Sequence, residues 1–170
     1  MQPDDHIVDI AFPVQGDRLP YDHGYALYSA LSTAIPDIHE NERVGIFQIP
    51  TTSTGDGEGL LQNNATLKIR APSSFYPKLI RLAGTSLKVD EFAIRLGPPS
   101  AYPLKPASRA WSRLVVIKGY TEPEPFREAA DRQIQSLGIG GDVQVEARNV
   151  VRVKGLSIIG FQVTVTGLSG

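Results

Sequence analysis

The chain has 170 residues, of which 41% are hydrophobic and 21% are charged, so it is long enough for one domain or two small ones and too apolar to be disordered. It contains no cysteine, which excludes disulfides, thiolate nucleophiles and cysteine–zinc sites and favours a reducing, cytoplasmic location. The net charge of −1 excludes a basic surface over the whole molecule, but residues 1–104 carry 8 Lys and Arg against 12 Asp and Glu, and residues 105–170 carry 9 against 6.

The first half of the sequence predicts the order β-α-β-β-α-β, which is the split βαβ pattern of ferredoxin-like domains. Its helices show apolar residues at helical spacing, and residues 65–71 alternate between apolar and polar side chains as a half-buried strand does. Asp22 and Pro36 are the expected start and stop signals of the first helix. The predicted elements are strand 7–14, helix 23–35, strand 44–49, strand 65–71, helix 74–83 and strand 86–96, with a polar hairpin loop at 51–59.

A link at 98–108 contains four prolines and separates a predicted first domain, 1–97, from a predicted second domain, 109–170. The second domain repeats the order only as far as β-α-β-β. Its predicted elements are strand 113–118, a helix opening with a capping box at Thr121–Glu124, and strands 142–154 and 156–168 joined at a tight turn. The fold class is therefore α+β, with two tandem ferredoxin-like domains, the second lacking its last helix and strand. Because such a sheet leaves an edge and a face uncovered, we expect this sequence to be part of a longer chain.

No motif for a phosphate loop or an HExxH zinc site occurs, and no apolar run is long enough for a membrane helix. The N-terminus lacks the features of a signal peptide. The glycine run 138–141 follows a predicted helix and is interpreted as a helix C-cap and turn.

Three histidines are the candidates for proton transfer, His6, His23 and His39. His6 precedes the first strand and is interpreted as a surface residue. His23 lies in the first turn of a helix, where the dipole disfavours a charged imidazole. His39 lies just beyond the same helix. For each of them a surface or capping role is the ordinary alternative to catalysis.

Two sets of cations are candidates for contact with a phosphate backbone. Lys68 and Arg70 share one strand face, and Arg148, Arg152 and Lys154 share another if no bulge intervenes. The alternative is a solvated sheet face. Several aromatic residues could stack nucleic-acid bases, although their helical spacing favours core packing for most of them. They are Tyr21, Tyr25, Tyr28, Phe75 and Tyr76.

Two segments carry a resemblance to a known family. Residues 12–31, FPVQGDRLPYDHGYALYSAL, resemble the first strand–helix unit of the CRISPR repeat-processing endoribonucleases, the Cas-six family of the RAMP superfamily. Residues 148–169, RNVVRVKGLSIIGFQVTVTGLS, are similar to the second-domain hairpin of that family, and most of all to its Myxan-type branch. The likeness in element order covers essentially the whole chain. The family pattern continues with a further helix and a glycine-rich basic loop, for which nothing after Ser169 is a match.

The resemblance implies an endoribonuclease that cuts CRISPR precursor RNA beside a repeat stem-loop without a metal or other cofactor. In such enzymes the ribose 2′-hydroxyl attacks the adjacent phosphate and leaves a 2′,3′-cyclic phosphate. Many members stay bound to the guide RNA as a subunit of the interference complex, so the implied partners are repeat RNA, guide RNA and other complex subunits, with no membrane.

The resemblance also implies roles for particular residues. It makes His39 the first choice for the catalytic histidine and His23 the second, with Tyr28, Ser29 and Ser32 as orienting groups on the helix. Arg148, Arg152 and Lys154 are the expected RNA contacts, with Lys68 and Arg70 as a second group. Two alternatives stay open: a non-cleaving RNA-binding subunit of the same machinery, and a ferredoxin-like domain that binds a small regulatory molecule.

Overall fold

The computed structural model describes residues 5–39, 41–153 and 156–168, and the side chains of Arg152 and Val153 lie outside the described set. The fold is a mixture of α-helices and β-sheets, and it divides into two compact units, Met1–Leu104 and Lys105–Gly170. Their boundary falls inside the segment 98–108 predicted as a linker. Residues Ser100–Pro103 of that segment form a strand that pairs within the first unit. The finer description as two tandem ferredoxin-like domains stays a prediction.

The first unit contains nine strands, two α-helices and three short 3₁₀ segments in its described part. The strands are β1 (Ile7–Gln15), β2 (Arg18–Pro20), β3 (Gly45–Ile46), β4 (Thr51–Ser53), β5 (Glu58–Leu61), β6 (Thr66–Pro72), β7 (Ser86–Val89), β8 (Phe92–Leu96) and β9 (Ser100–Pro103). The helices are α1 (Gly24–Ala34) and α2 (Tyr76–Leu79), with 3₁₀ segments at Pro36–Ile38, Ser73–Phe75 and Ile80–Leu82.

An antiparallel sheet organises this unit. Its strand order is β3-β6-β1-β8-β7, and β9 also pairs with β1. A separate small sheet has the order β2-β5-β4. The predicted alternation in 65–71 is confirmed, because Leu67 and Ile69 are fully buried against the core while Lys68 is exposed. Leu27 and Leu31 of α1 are buried in the same core.

Several predicted elements of the first unit differ from the structure. The single strand expected at 86–96 is a hairpin of β7 and β8, which turns at Asp90 with a φ of 59°. Aspartate tolerates this left-handed conformation better than most residues, so the turn interrupts an otherwise strand-like run. The strand expected at 44–49 is reduced to the two residues of β3, and the helix expected at 74–83 is broken into short 3₁₀ and α segments around α2.

The predicted helix caps are also wrong in detail. His23, not Asp22, occupies the N-cap position of α1, and no side chain caps that helix. Asp22 instead accepts a hydrogen bond from the amide of Gln48, at 3.1 Å. The capping box predicted at Thr121–Glu124 does not form, since the N-cap of the next helix is Glu122 and makes no side-chain cap bond.

The second unit is a three-stranded antiparallel sheet covered by one helix. Its elements are β10 (Arg109–Val115), α3 (Pro123–Ser136), β11 (Asp142–Val153) and β12 (Leu156–Thr166), with the sheet order β10-β12-β11. The strand predicted at 113–118 therefore lies earlier in the sequence. Phe126 of α3 packs on Phe161 of β12 with ring centroids 4.5 Å apart, and both are fully buried. The turn predicted at 154–156 falls mainly outside the described residues.

Gly138 confirms the predicted end of α3. Its φ of 69° is the left-handed conformation that glycine adopts most easily, and it follows the C-cap residue Leu137. Within the described part of the chain, no helix has both the length and the apolar character needed to cross a membrane.

Candidate active site

A short reversal after α1 brings His39 back beside the helix. Pro36 cannot continue α1, and residues Pro36–Ile38 form a 3₁₀ turn that ends when the backbone N–H of His39 donates to the carbonyl of Pro36, at 2.9 Å. This turn places the imidazole next to Tyr28, which is eleven residues earlier. The Tyr28 hydroxyl and His39 Nδ1 are 3.2 Å apart, and the ring centroids are 6.2 Å apart.

The turn that carries His39 is tied to the second helix by an ion pair. Lys78 of α2 donates to the carboxylate of Asp37 at 2.6 Å. This hydrogen bond is the main reason that the pKa of Asp37 lies below its ordinary value. The pair is exposed, so its effect is to position the 3₁₀ turn more than to stabilise the fold.

His39 and Tyr28 lie on an open cleft with a volume of about 390 Å³. Four of the five predicted catalytic residues line this cleft, namely His39, Tyr28, Ser29 and Ser32. Most of the side chains in its wall carry a hydroxyl group. The lining residues are Tyr25, Tyr28, Ser29, Ser32, Thr33, Pro36 and His39. A neighbouring groove between α1 and β7 shares the ridge Tyr25, Ser29 and Thr33, so the exposed face of α1 has a cleft on each side.

Ser32 is unusual within this wall. Its hydroxyl oxygen is buried and has no hydrogen-bond partner, the one such side-chain atom in the described part of the chain. A buried polar group left without a partner costs about 1–3 kcal/mol. Sites that keep such a group often use it for function, which makes Ser32 a candidate for orienting other groups at the cleft.

We expect Ser32→Ala to stabilise the first unit, by about 1 kcal/mol, because alanine removes the unsatisfied hydroxyl and is a better helix former. Ser29→Ala is the matched control, since Ser29 is exposed on the same helix and gains only in helix propensity. Urea unfolding of the two variants measures the difference. Equal stabilisation of both would contradict the assignment of a penalty to the Ser32 hydroxyl.

His23, the fifth predicted catalytic residue, lies outside the cleft. Its side chain is 1% exposed, and both ring nitrogens bond to the backbone. Nδ1 lies 2.8 Å from the carbonyl oxygen of Pro20, and Nε2 lies 3.0 Å from the backbone nitrogen of Ile49. Because a carbonyl can only accept and an N–H can only donate, Nδ1 carries the hydrogen and the ring is neutral. This geometry gives His23 a structural role, in which it joins the start of α1 to the segment after β3.

The two cations of β6 share one carboxylate. Arg70 makes a forked contact with Asp9 of β1, with distances of 2.8 and 3.1 Å, and the Lys68 ammonium lies 3.8 Å from the same carboxylate. The hydrogen bond from Arg70 is the main reason that the pKa of Asp9 lies below its ordinary value. Both cations also lie over the ring of Phe47, at 5.5 Å for Lys68 and 5.2 Å for Arg70.

We expect Asp9→Asn to destabilise the protein by about 1 kcal/mol at pH 7, because the forked pair with Arg70 is lost. A lowered pKa in the folded state stabilises the fold above the ordinary carboxylate value near 3.9, and this contribution disappears as the pH falls through the folded-state value. The difference from wild type in urea unfolding should therefore shrink from pH 7 to pH 2. Asp17→Asn, at an exposed position, is the control, and a pH-independent difference for Asp9→Asn would contradict the prediction.

The predicted cationic hairpin is described only in part. The register shift in β11 lies between Val145 and Arg148, so the ladder runs without interruption from Arg148 to Val153. The last described pair between β10 and β12 is Val115 with Phe161. Beyond it, from the pair of Asn149 with Gly160 to the pair of Val153 with Leu156, the described ladder joins β11 and β12 only to each other. Arg148 is exposed. The side chain of Arg152 and the whole of Lys154 lie outside the described residues, so their role in binding RNA stays a prediction.

Three residues of the cleft wall were not predicted as catalytic, Tyr25, Thr33 and Pro36, although Tyr25 was a candidate for base stacking. The sequence spacing does indicate that Tyr25 and Thr33 lie beside Ser29, because the three residues recur at intervals of four and so share one face of a helix. Within residues 5–39, 41–153 and 156–168, no group of three or more His, Asp or Glu side chains is placed to hold a metal ion.

Comparisons with known proteins agree with the resemblance. A family model described as Cas6 Crispr matches residues 8–170. A CRISPR-associated endonuclease Cas6 from Myxococcus xanthus (strain DK1622) is 35% identical over 162 residues, which are 95% of this chain and 70% of the relative.

Solved structures show the same fold at low sequence identity. A CRISPR associated protein Cas6 aligns with a TM-score of 0.59 and 10% identity, covering 96% of this chain and 89% of the other. A structure described as an RAMP protein binding different RNA substrates aligns with a TM-score of 0.59 and 14% identity, covering 95% and 88%. The family model and the Myxococcus relative together show that this chain belongs to the Cas6 family of CRISPR-associated proteins.

Proposed function

We propose that this protein is an endoribonuclease that cuts CRISPR precursor RNA at the repeat to give guide RNA, and that it does so without a metal ion. Membership of the Cas6 family and the endonuclease named among its relatives support the activity. The observation that carries the proposal is the pairing of His39 with Tyr28 on an open, hydroxyl-lined cleft. The cleft combines a group that can transfer protons near neutral pH with groups that can orient it.

The proposed reaction is an internal transesterification. The 2′-hydroxyl oxygen of one nucleotide attacks the adjacent phosphorus, the bond to the 5′-oxygen of the next nucleotide breaks, and the products are a 2′,3′-cyclic phosphate and a free 5′-hydroxyl. One proton leaves the 2′-oxygen and one proton is delivered to the 5′-oxygen. His39 carries out one of these transfers through Nε2, while the contact of Nδ1 with Tyr28 fixes the plane of its ring.

The hydroxyls on α1 are assigned supporting roles. Ser29 and Ser32 line the cleft beside His39. The exposed Ser29 is proposed to orient the histidine or the scissile phosphate, and Ser32, whose hydroxyl is buried, to position the neighbouring groups of the cleft. Arg148, Arg152 and Lys154 are proposed to contact the RNA backbone, and the protein is proposed to stay bound to the guide RNA as a subunit of the interference complex. A solved structure that shares this fold is described as an RAMP protein binding different RNA substrates, which supports RNA as the partner.

Incubation of the protein with its repeat RNA in EDTA tests this proposal. We expect cleavage at one position, with a cyclic phosphate on the upstream fragment, and tight retention of the product in a gel-shift assay. Binding without cleavage would favour a non-cleaving RNA-binding subunit. Absence of both binding and cleavage would contradict any role in repeat RNA processing and would favour a domain that binds a small regulatory molecule.

A further inference from the structure

One face of the first sheet carries an exposed aromatic ring between charges. The buried residues of β6 face the helices, so by strand alternation Lys68 and Arg70 lie on the opposite face. Phe47 lies beside them, just after β3, and its backbone N–H donates to the carbonyl of Lys68 at 3.0 Å. The Phe47 side chain is 41% exposed. Packing in the hydrophobic core therefore does not explain why a phenylalanine occupies this position.

The charges around Phe47 are unequal. Asp9 holds Arg70 in a two-point contact, and its lowered pKa keeps the carboxylate ionised at neutral pH. Lys68 makes only a longer contact with the same carboxylate, at 3.8 Å. One carboxylate and two cations leave one surplus positive charge beside the ring. Because Asp9 holds the guanidinium of Arg70, Lys68 is the cation that can contact an anionic ligand.

A cleft of about 350 Å³ opens next to Phe47 and Lys68. Three side-chain amides line it, from Gln48, Gln62 and Asn64. Two of them are held in place, because Gln48 donates to Asp22 at 3.1 Å and Gln62 donates to Thr52 at 3.4 Å. Amides offer both a donor and an acceptor, which is the combination that recognises the edge of a nucleobase.

We propose that this cleft, which we call the Phe47 cleft, binds one unpaired nucleotide of the RNA substrate. The base stacks on Phe47, the amides of Gln62 and Asn64 contact its edge, and Lys68 contacts its phosphate. Exposed aromatics with neighbouring cations on a sheet are a recurrent means of binding single-stranded RNA. The inference rests on the proposed function, since it takes RNA as the ligand, and it places a binding contact away from the His39 cleft.

The test uses the full chain and repeat RNA carrying a 5′ fluorescein, with binding followed by anisotropy in EDTA. We expect Phe47→Leu to weaken binding about 5- to 100-fold, because leucine keeps apolar bulk but cannot stack, and Phe47→Tyr to bind within about twofold of wild type. Lys68→Gln should reduce the slope of log Kd against log salt by about 0.7, the value for one phosphate contact on a single strand.

The controls separate this inference from the proposed function. Ile80→Ala removes an equally exposed apolar side chain from the helical side of the unit and should not change Kd. Circular dichroism verifies that each variant is folded. Wild-type affinity for Phe47→Leu, in a protein that still binds and cuts the RNA, would overturn the Phe47 cleft alone. Absence of any RNA binding by the wild type would overturn both, and equal loss for leucine and tyrosine would overturn stacking.

Discussion

We expect His39→Ala to reduce the single-turnover rate of repeat RNA cleavage by about 10²- to 10⁴-fold, which is the usual contribution of a positioned proton-transfer group. The substitution removes the imidazole that contacts Tyr28 on the cleft, and we expect little effect on stability because the side chain is exposed. The Kd for RNA should stay within about twofold of the wild-type value. Rates measured with enzyme in excess over labelled RNA give the comparison without interference from product release.

The matched control for His39→Ala is His6→Ala. Both histidines are exposed in the same unit, and His6 lies just before β1 rather than on the cleft. We expect His6→Ala to cut at the wild-type rate. A rate for His39→Ala within about threefold of the wild-type rate would rule out His39 as the proton-transfer group, and a matching loss in both variants would indicate a general effect on the protein.

The second large effect is on stability. We expect His23→Ala to lower the free energy of unfolding of the first unit by about 2–4 kcal/mol. The change leaves the Pro20 carbonyl and the Ile49 N–H without the ring nitrogens that they contact, and it creates a cavity at a residue that is 1% exposed. Urea unfolding followed by circular dichroism measures the loss.

His39→Ala serves as the control for His23→Ala, since it is the same substitution at an exposed position. We expect His39→Ala to have the same midpoint of urea unfolding as the wild type. Cleavage by His23→Ala should recover when the assay temperature is lowered enough to restore the folded fraction. If His23→Ala instead kept wild-type stability and lost cleavage, His23 would take part in the reaction and its assignment as a structural residue would fail.

The sequence predicted elements well where one physical signal dominates. Strict alternation in residues 65–71 predicted a strand with one buried face, and β6 has that face. The predicted helix 23–35 differs from α1 by one residue at each end, and its end follows from Pro36, which cannot be part of the helix interior. The interruption at Asp90 was missed, since the residues on both sides of it favour a strand and the turn depends on one left-handed residue.

The candidate site was less predictable than the fold. The sequence separates Tyr28 and His39 by eleven residues, and only the 3₁₀ turn at Pro36–Ile38 brings them into contact. The family resemblance ranked His39 before His23, but nothing in the residues themselves indicated that His23 is buried. The burial of His23 depends on its contact with Ile49, which is 26 residues later in the chain. Phe47 was also missed, because residues 44–49, VGIFQI, have apolar side chains on both faces of the predicted strand and do not indicate which face is exposed.

In the proposed reaction, the RNA supplies its own nucleophile at the His39 cleft. The most direct measurement uses repeat RNA with a single 2′-deoxynucleotide on the upstream side of the cut, incubated with the wild-type protein in EDTA. We expect this RNA to bind with the Kd of the unmodified repeat and to stay intact at that position, because no 2′-hydroxyl is available to attack the phosphate. Cleavage at the same position and rate as the unmodified RNA would show attack by water and would contradict the proposed transesterification.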